Sequence, residues 1–262
     1  MLDLEKAMEF AKSVAYSAGK IQKDKYEMLG MEVRRKGIIN LVTEVDVECE
    51  KHITEAISAK FPDHAIMAEE GTDIKSGNGY VWYIDPLDGT TNYAHGYPFF
   101  GPSIGLVLEG EPVAGAVYDP MRDEMFSGFK GGGAYLNGKR IKVSAVEDMD
   151  DALLGTGFPY DLRTNKDNNI DNFCRVTMRS QAIRRAGAAA LDLCYVACGR
   201  FEGFWEQWLY PWDMAAGVLF VKEAGGTVTD MKGKGMNLLG KTVCAANPVI
   251  HPKLLGLLKC GD

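Results

Sequence analysis

The stretch Trp82–Tyr93 reads W-Y-I-D-P-L-D-G-T-T-N-Y and carries the strongest signal in the chain for both fold and chemistry. The strand-forming residues 80–84 predict a β-strand that stops at two carboxylates three positions apart, where Pro86 ends it. Two carboxylates at close range either share a proton or share a cation. No Lys or Arg lies between Trp82 and Gly101, so a hard divalent metal ion is the natural neutraliser.

The residues that follow the second carboxylate add a site for an anion. Gly89-Thr90-Thr91-Asn92 turns the chain and offers free backbone N–H groups, which bind anions at turns and helix N-termini. A metal site and an anion site at one strand end together indicate phosphate chemistry.

Length and charge limit the class of protein. The chain has 262 residues, 46% apolar and 25% charged, which suits a globular protein with one large domain or two lobes. Its 29 basic and 36 acidic residues give a net charge of −7, which argues against nucleic acid as the usual ligand. There is no apolar run of 18 residues, no signal-peptide pattern, and no C-x-x-C pair among the six cysteines. We therefore expect a cytoplasmic protein without a membrane partner.

Hydrophobic periodicity predicts helices layered on sheets. Helical spacing covers residues 3–28, and a second helix opens at 43–46 with Val47, Ile53, Ala56 and Ile57 on its core face. Strands are predicted at 65–68, 80–84, 101–108, 112–118, 124–129 and within 131–138, followed by helix 169–179, strand 181–185, helix 188–199, strand 202–206, helix 211–224, strands 226–229 and 242–245, and helix 249–258. We expect one domain, 1–262, in which the acidic segment 147–151 separates a strand-rich lobe, 1–150, from an alternating lobe, 151–262.

Further acidic residues lie at the ends of predicted elements. Glu69-Glu70 follows a strand, Glu206 ends one, and Asp46 and Asp213 each begin a helix. Loop-lined sites collect side chains from such positions. Each position also has a plain structural explanation, because Thr43-x-x-Asp46 is a capping-box pattern and acids favour the first turn of a helix. Spacing alone leaves both explanations open.

Several ordered motifs resemble those of the inositol monophosphatase family, the lithium-sensitive, Mg²⁺-dependent sugar phosphatases. The matching segments are 41–46, 68–71, 85–92, 185–193 and 212–217 with 223–226. The resemblance runs from about residue 4 to residue 258. It implies an α+β fold of alternating helix and sheet layers, an αβαβα sandwich of the sugar-phosphatase type.

The resemblance implies a metal centre with two to three ions. The first ion would be held by Glu69, Asp85 and the backbone carbonyl of Leu87. The second would be held by Asp85, Asp88 and Asp213, and a weaker third would lean on Glu69. These hard oxygen ligands suit Mg²⁺, with Mn²⁺ as an alternative ion.

The resemblance also implies direct attack of a metal-activated water, without a covalent phosphoenzyme. Thr90 and Asp46 would orient that water and relay its proton beside Glu69. Backbone N–H groups of Gly89 and Thr90 would hold the phosphate oxygens. Lys36 corresponds to a basic residue in the family's mobile loop.

The substrate would contact Asp88, Gly89, Thr90, Ala188, Glu206 and Asp213. Glu206 lies seven residues before Asp213, where inositol-specific members keep a Glu for a ring hydroxyl, which supports myo-inositol monophosphate. Ala188 departs from the family's usual Ser or Thr, so a backbone contact to the sugar would survive there and a hydroxyl contact would not.

Other outcomes remain open at this point. Relatives with the same core motifs hydrolyse fructose 1,6-bisphosphate, histidinol phosphate, nucleotide 3′-phosphates or NADP(H). A regulatory or RNA-associated binding protein that retains the fold is a different class, and the intact acids and net negative charge count against it. A calcium-binding structural domain lacks its D-x-D-x-D-G loop. The family resemblance further implies a homodimer and inhibition by lithium.

Overall fold

The computed structural model describes residues 2–26, 33–35, 41–75 and 77–258. Within these ranges the helices are α1 (Leu4–Tyr26), α2 (Glu44–Lys60), α3 (Thr90–Ala94), α4 (Ile170–Thr177), α5 (Ala189–Ala197), α6 (Pro211–Glu223) and α7 (Ile250–Leu257). The strands are β1 (Val33–Arg35), β2 (Leu41–Thr43), β3 (Ala65–Ala68), β4 (Asp73–Ile74), β5 (Tyr80–Asp88), β6 (Gly101–Leu108), β7 (Glu111–Asp119), β8 (Glu124–Phe129), β9 (Gly133–Leu136), β10 (Lys139–Arg140), β11 (Leu153–Thr156), β12 (Ala182–Arg184), β13 (Gly203–Gln207), β14 (Thr227–Thr229) and β15 (Thr242–Ala246).

Two larger sheets organise the described residues. Eight strands form the first, in the order β10-β9-β8-β7-β6-β5-β3-β4, and only the β3–β5 pair in it is parallel. Five strands form the second, in the order β12-β11-β13-β15-β14, where β11 runs parallel to both of its neighbours. The seam expected at 147–151 falls between the last strand of one sheet and the first strand of the other. The division into two lobes stays a prediction.

The alternation of side chains along the strands shows the order of the layers. On β15, Val243 and Ala245 pack into the core shared with α5 and α6, whereas Cys244 and Ala246 pack with α7 on the opposite face. The eight-stranded sheet has α1 and α2 on one face and α6 on the other. The layers therefore run helix, sheet, helix, sheet, helix, and the predicted αβαβα fold is confirmed.

Small residues let α6 lie directly on the eight-stranded sheet. A Cβ atom added at Gly105 of β6 would stand 2.7 Å from the Cβ of Ala215, and one at Gly115 of β7 would stand 3.2 Å from the Cβ of Ala216. Because the helix sits this close, its first turn reaches the end of β5. Packing thus brings together two segments that lie more than 120 positions apart in sequence.

Two expectations about the elements were wrong, and one strand of the second sheet was not predicted. Strand β5 does not stop before Pro86 but continues to Asp88, and a register shift between Asp85 and Asp88 absorbs the proline as a bulge. Val47 is half exposed, and Val45 and Cys49 face the core instead. Strand β11 was missed because L-L-G-T is short and contains a glycine.

No helix in the described part of the chain combines the length and apolar character that crossing a membrane requires.

Candidate active site

A cavity of about 380 Å³ opens where β5, β13 and the first turns of α5 and α6 meet. Its walls include most of the residues predicted to form the site. The predicted residues that line it are Glu69, Asp85, Leu87, Asp88, Gly89, Thr90, Glu206 and Asp213.

The bulge at the end of β5 presents both carboxylates of the D-P-L-D segment. Asp85 is buried, and its Oδ1 accepts the backbone N–H of Leu87 at 2.9 Å. The chain then turns at Gly89, whose φ of 92° is left-handed. A Cβ atom there would also meet the carbonyl oxygen of Phe99 at 2.9 Å, so the turn into α3 requires glycine.

Asp88 caps a helix from across the fold. Its Oδ2 accepts the backbone N–H of Ala190 in the first turn of α5 at 2.7 Å. Ala188, the N-cap residue of α5, offers no side-chain cap, so Asp88 replaces the missing Ser or Thr hydroxyl. Ala188 itself is buried against Gly89 and does not line the cavity, whereas its neighbour Ala189 does. Contact between Ala188 and substrate stays a prediction.

Thr90 lines the cavity and is hydrogen-bonded to Asp46, which does not line it. The Thr90 hydroxyl lies 3.0 Å from Asp46 Oδ1 and 3.0 Å from the carbonyl oxygen of Leu87. Asp46 lies in the first turn of α2 and is 1% exposed, so the packing of α2 beside β5 delivers a buried carboxylate to Thr90.

Glu69 is held by a network that the sequence analysis missed. Its backbone N–H donates to the carbonyl of Ile84 at 3.1 Å, which ties it to β5. The buried carboxylate of Glu50 accepts the N–H of Glu70 at 2.6 Å and both the N–H and the hydroxyl of Thr72, at 3.0 and 2.7 Å. An acid on the otherwise core-facing side of α2 was the available signal for this role.

Asp213 both caps a helix and lines the cavity. Its Oδ2 accepts the backbone N–H of Tyr210 at 2.7 Å, which caps α6, and it also lines the cavity.

The acids of the cavity repel one another. Burial raises the pKa of Asp85 well above its usual range, and the charges of Glu69, Asp88 and Asp213 raise it further. Burial, with Glu69 next, likewise raises the pKa of Asp213. Burial raises the pKa of Asp88 to about 6, against the lowering effect of the α5 backbone N–H groups.

This donor set fits a hard divalent cation. Among the described residues, no three His, Cys, Asp or Glu side chains already stand at metal-binding spacing. The fit rests instead on chemistry, because four carboxylates that destabilise one another in a shared cavity gain most from a cation bound by oxygen ligands.

Charged and aromatic side chains line a further part of the cavity wall. Arg185 and Glu206 both line it, and the pKa of Glu206 is raised to about 8 by burial and by Asp88, while the charge of Arg185 lowers it. The Lys241 ammonium lies 5.6 Å from the centre of the Trp208 ring and 5.7 Å from that of Tyr210. No role was assigned to these residues from sequence, although Arg185 belongs to a family-like segment and the two rings precede Asp213. Lys36 lies outside the described residues, so its role stays a prediction.

The chain is similar to known proteins over nearly its whole length. The chain matches the model of the Inositol monophosphatase family over residues 3–261. It is 43% identical over 256 residues to an inositol-1-monophosphatase of Synechocystis, covering 96% of this chain and 88% of the relative. It is 44% identical over 272 residues to Nus factor SuhB of Pseudomonas aeruginosa, covering 98% and 100%.

Two further relatives bear on activity and fold. A fructose-1,6-bisphosphatase/inositol-1-monophosphatase of Aquifex aeolicus is 41% identical over 260 residues, covering 99% of this chain and 97% of the relative. The solved structure of inositol monophosphatase from Anabaena superimposes with a TM-score of 0.89 at 41% identity, covering 98% and 96%. The predicted fold and phosphatase class are confirmed, and the chain belongs to the inositol monophosphatase family.

Proposed function

We propose that this chain hydrolyses the phosphate monoester of myo-inositol monophosphate to inositol and phosphate. The observation that carries the proposal is the convergence of four carboxylates and Thr90 on one cavity, with Asp46 hydrogen-bonded to Thr90 behind the cavity wall. The intact acidic set favours an enzyme over a protein that only binds a partner.

Divalent metal ions are the proposed cofactors, with Mg²⁺ first and Mn²⁺ as an alternative. Glu69, Asp85, Asp88, Asp213 and the Leu87 carbonyl would hold two to three of them. Bound there, such ions lower the pKa of a water molecule and neutralise charge on the phosphoryl oxygens.

The protein's own residues would position the water and accept its proton. The Thr90 hydroxyl has one proton to give and lies within reach of Asp46 Oδ1. When a water donates to Thr90 Oγ1, the hydroxyl donates to Asp46, so the buried carboxylate assists proton removal. Backbone N–H groups of Gly89 and Thr90 are proposed to hold the phosphate oxygens.

Glu206 is proposed to recognise the alcohol part of the substrate. Its carboxyl group lies in the same cavity as the acids, on the wall that carries Arg185, and offers hydrogen bonds to a ring hydroxyl.

Fructose 1,6-bisphosphate is the second candidate. Arg185 and Lys241 line the cavity, and no carboxylate among the described residues lies within ion-pair distance of either. Two such cations suit a second phosphate group on the substrate. The Aquifex relative carries both activities in its name.

Three further properties are proposed from the family resemblance and from cysteine chemistry. These are inhibition by Li⁺, a homodimeric assembly and a cytoplasmic location. The five cysteines among the described residues are free thiols, which suits a reducing compartment.

A substrate panel tests the proposal. Phosphate release would be measured with Mg²⁺ on inositol 1-phosphate, fructose 1,6-bisphosphate, histidinol phosphate, a nucleotide 3′-phosphate and NADP. We expect kcat/KM to be highest for inositol 1-phosphate and to vanish in excess EDTA. A higher value for fructose 1,6-bisphosphate would establish the second candidate instead.

A further inference from the structure

Gly157 lies directly under the carboxylate of Glu206. A Cβ atom built on Gly157 would stand 2.0 Å from Glu206 Oε1, 2.2 Å from its Cδ and 2.3 Å from its Oε2. Only a residue without a side chain leaves that space, so the carboxylate rests on the Gly157 backbone at the edge of the cavity.

The parallel pairing of β11 with β13 explains the contact. Thr156 is the register partner of Trp205, so the next residue of each chain, Gly157 and Glu206, come out side by side where the strands leave the pairing. Residues in register on adjacent parallel strands face the same side of the sheet, and Gly157 and Glu206 both line the cavity.

Asn169 fixes this arrangement from behind. It is 4% exposed, and its Nδ2 donates to the Gly157 carbonyl at 2.7 Å and to the Thr156 hydroxyl at 3.0 Å. Its Oδ1 accepts the indole N–H of Trp205 at 2.9 Å. The Thr156 hydroxyl in turn donates to the Trp205 carbonyl at 2.7 Å. The buried Asn169 amide therefore connects Gly157 with Trp205, the residue that precedes Glu206.

We propose that Gly157 is a specificity-determining residue, because its missing side chain leaves room for the Glu206 carboxyl group to meet a substrate hydroxyl. Asn169 is the positioning residue that holds Gly157 in place. The inference rests on the proposed function, in which Glu206 reads the alcohol. This arrangement affects which alcohol is preferred, whereas the acids around Asp85 are responsible for hydrolysis of the phosphate ester.

Gly157→Ala is a clean test because only the side-chain space changes. Gly157 does not have a left-handed φ, so alanine fits its backbone. The atoms that an alanine would meet belong to the far end of a flexible side chain, so the carboxylate turns away while the backbone stays. Gly77→Ala is the matched control, since a Cβ atom there meets nothing within 4 Å.

Two substrates separate alcohol recognition from chemistry. With Mg²⁺ present, kcat/KM would be measured on inositol 1-phosphate and on 4-nitrophenyl phosphate, which has no alcohol hydroxyl. Gly157→Ala should lower the value for inositol 1-phosphate by on the order of 10- to 100-fold, chiefly through KM, because a substrate hydroxyl buried in the cavity is left without its hydrogen-bond partner. The value for 4-nitrophenyl phosphate should stay within about twofold, as in the control.

A double-mutant cycle shows whether the effect passes through Glu206. In a Glu206→Ala background, Gly157→Ala should cause no further loss on inositol 1-phosphate. Asn169→Asp, which keeps the acceptor for Trp205 but loses the donors to Gly157 and Thr156, should raise the same KM and spare 4-nitrophenyl phosphate. Equal losses on both substrates, an unchanged preference in Gly157→Ala, or an undiminished loss in the Glu206→Ala background would overturn the proposal.

Failure of the proposed substrate would look different. The wild-type protein would then hydrolyse 4-nitrophenyl phosphate with Mg²⁺ but show no preference for inositol 1-phosphate. Crystal structures of the wild type and Gly157→Ala would still show whether Gly157 determines the position of the Glu206 carboxylate. A carboxylate resting on Gly157 in the first and turned away in the second supports the proposal, and an unmoved carboxylate contradicts it.

Discussion

At the level of single residues, the site reuses carboxylates that cap helices. Asp88 caps α5 through Ala190, Asp213 caps α6 through Tyr210, and both line the cavity. The structural and functional explanations of these acids are therefore compatible, because one oxygen of a carboxylate satisfies the helix while the group remains part of the cavity wall. Glu50 adds a purely positioning acid that holds the turn after Glu69.

The Thr90 hydroxyl is expected to be needed for the chemical step. Thr90→Val removes the hydroxyl that lies 3.0 Å from Asp46 Oδ1 and is proposed to link that carboxylate to the attacking water, so kcat should fall roughly 100- to 10,000-fold. Thr90→Ser keeps the hydroxyl and should retain most of the activity. Steady-state kinetics on inositol 1-phosphate measure both variants, and similar kcat values for Thr90→Val and the wild type would remove Thr90 from the mechanism.

Glu206 is expected to make stability depend on pH. Its pKa is raised from 4.5 to about 8 in the folded protein by burial and Asp88, so the folded state keeps a proton that the unfolded state loses. Its contribution to stability is complete below about pH 4.5 and is lost as pH rises through about 8. In EDTA, the free energy of unfolding should therefore decline more between pH 5 and 8 for the wild type than for Glu206→Gln. Urea unfolding at several pH values measures this free energy. If it depends on pH in the same way for both proteins, the pKa of Glu206 is not raised.

At the level of elements, the close approach of α6 to the sheet places Asp213 beside the end of β5. Glycines on β6 and β7 face alanines on α6, so the helix backbone lies where side chains would otherwise stand. The bulge in β5 brings Asp85, Leu87 and Asp88 into the cavity wall.

Gly105→Ala should push α6 away from β6. Its Cβ atom would meet the Ala215 Cβ at 2.7 Å and the Ala216 backbone nitrogen at 2.9 Å, and the backbone atom has no room to yield. We expect a loss of about 1–3 kcal/mol in the free energy of unfolding. We also expect kcat to fall, because Asp213 moves with the helix. Gly77→Ala serves as the control, and a Gly105→Ala protein as stable and active as that control would contradict the packing argument.

At the level of the whole molecule, the sequence predicted the layers and the acids but not the way they are held. Ordered motifs pointed to Asp85, Asp88 and Asp213 together, and hydrophobic periodicity placed nearly every helix. Local patterns do not report contacts between segments that are far apart, so Glu50 and the cavity-lining Arg185 escaped notice. The same limit hid Gly157, because a single glycine before an aromatic segment gives no sign of the carboxylate above it. The continuation of β5 through Pro86 was missed because a proline normally ends a strand, and a bulge is a tertiary solution.

The acids around Asp85 are proposed to bind the divalent ions that make this chain a phosphatase. The most direct measurement is phosphate release from inositol 1-phosphate during a Mg²⁺ titration, with wild-type protein and Asp85→Asn compared after both are shown to be folded. We expect no activity in EDTA, saturable activity with Mg²⁺ in the wild type, and a loss of at least about 100-fold in Asp85→Asn that added Mg²⁺ does not restore. Full activity of the wild type in EDTA, or equal Mg²⁺-dependent rates for the two proteins, would contradict the account.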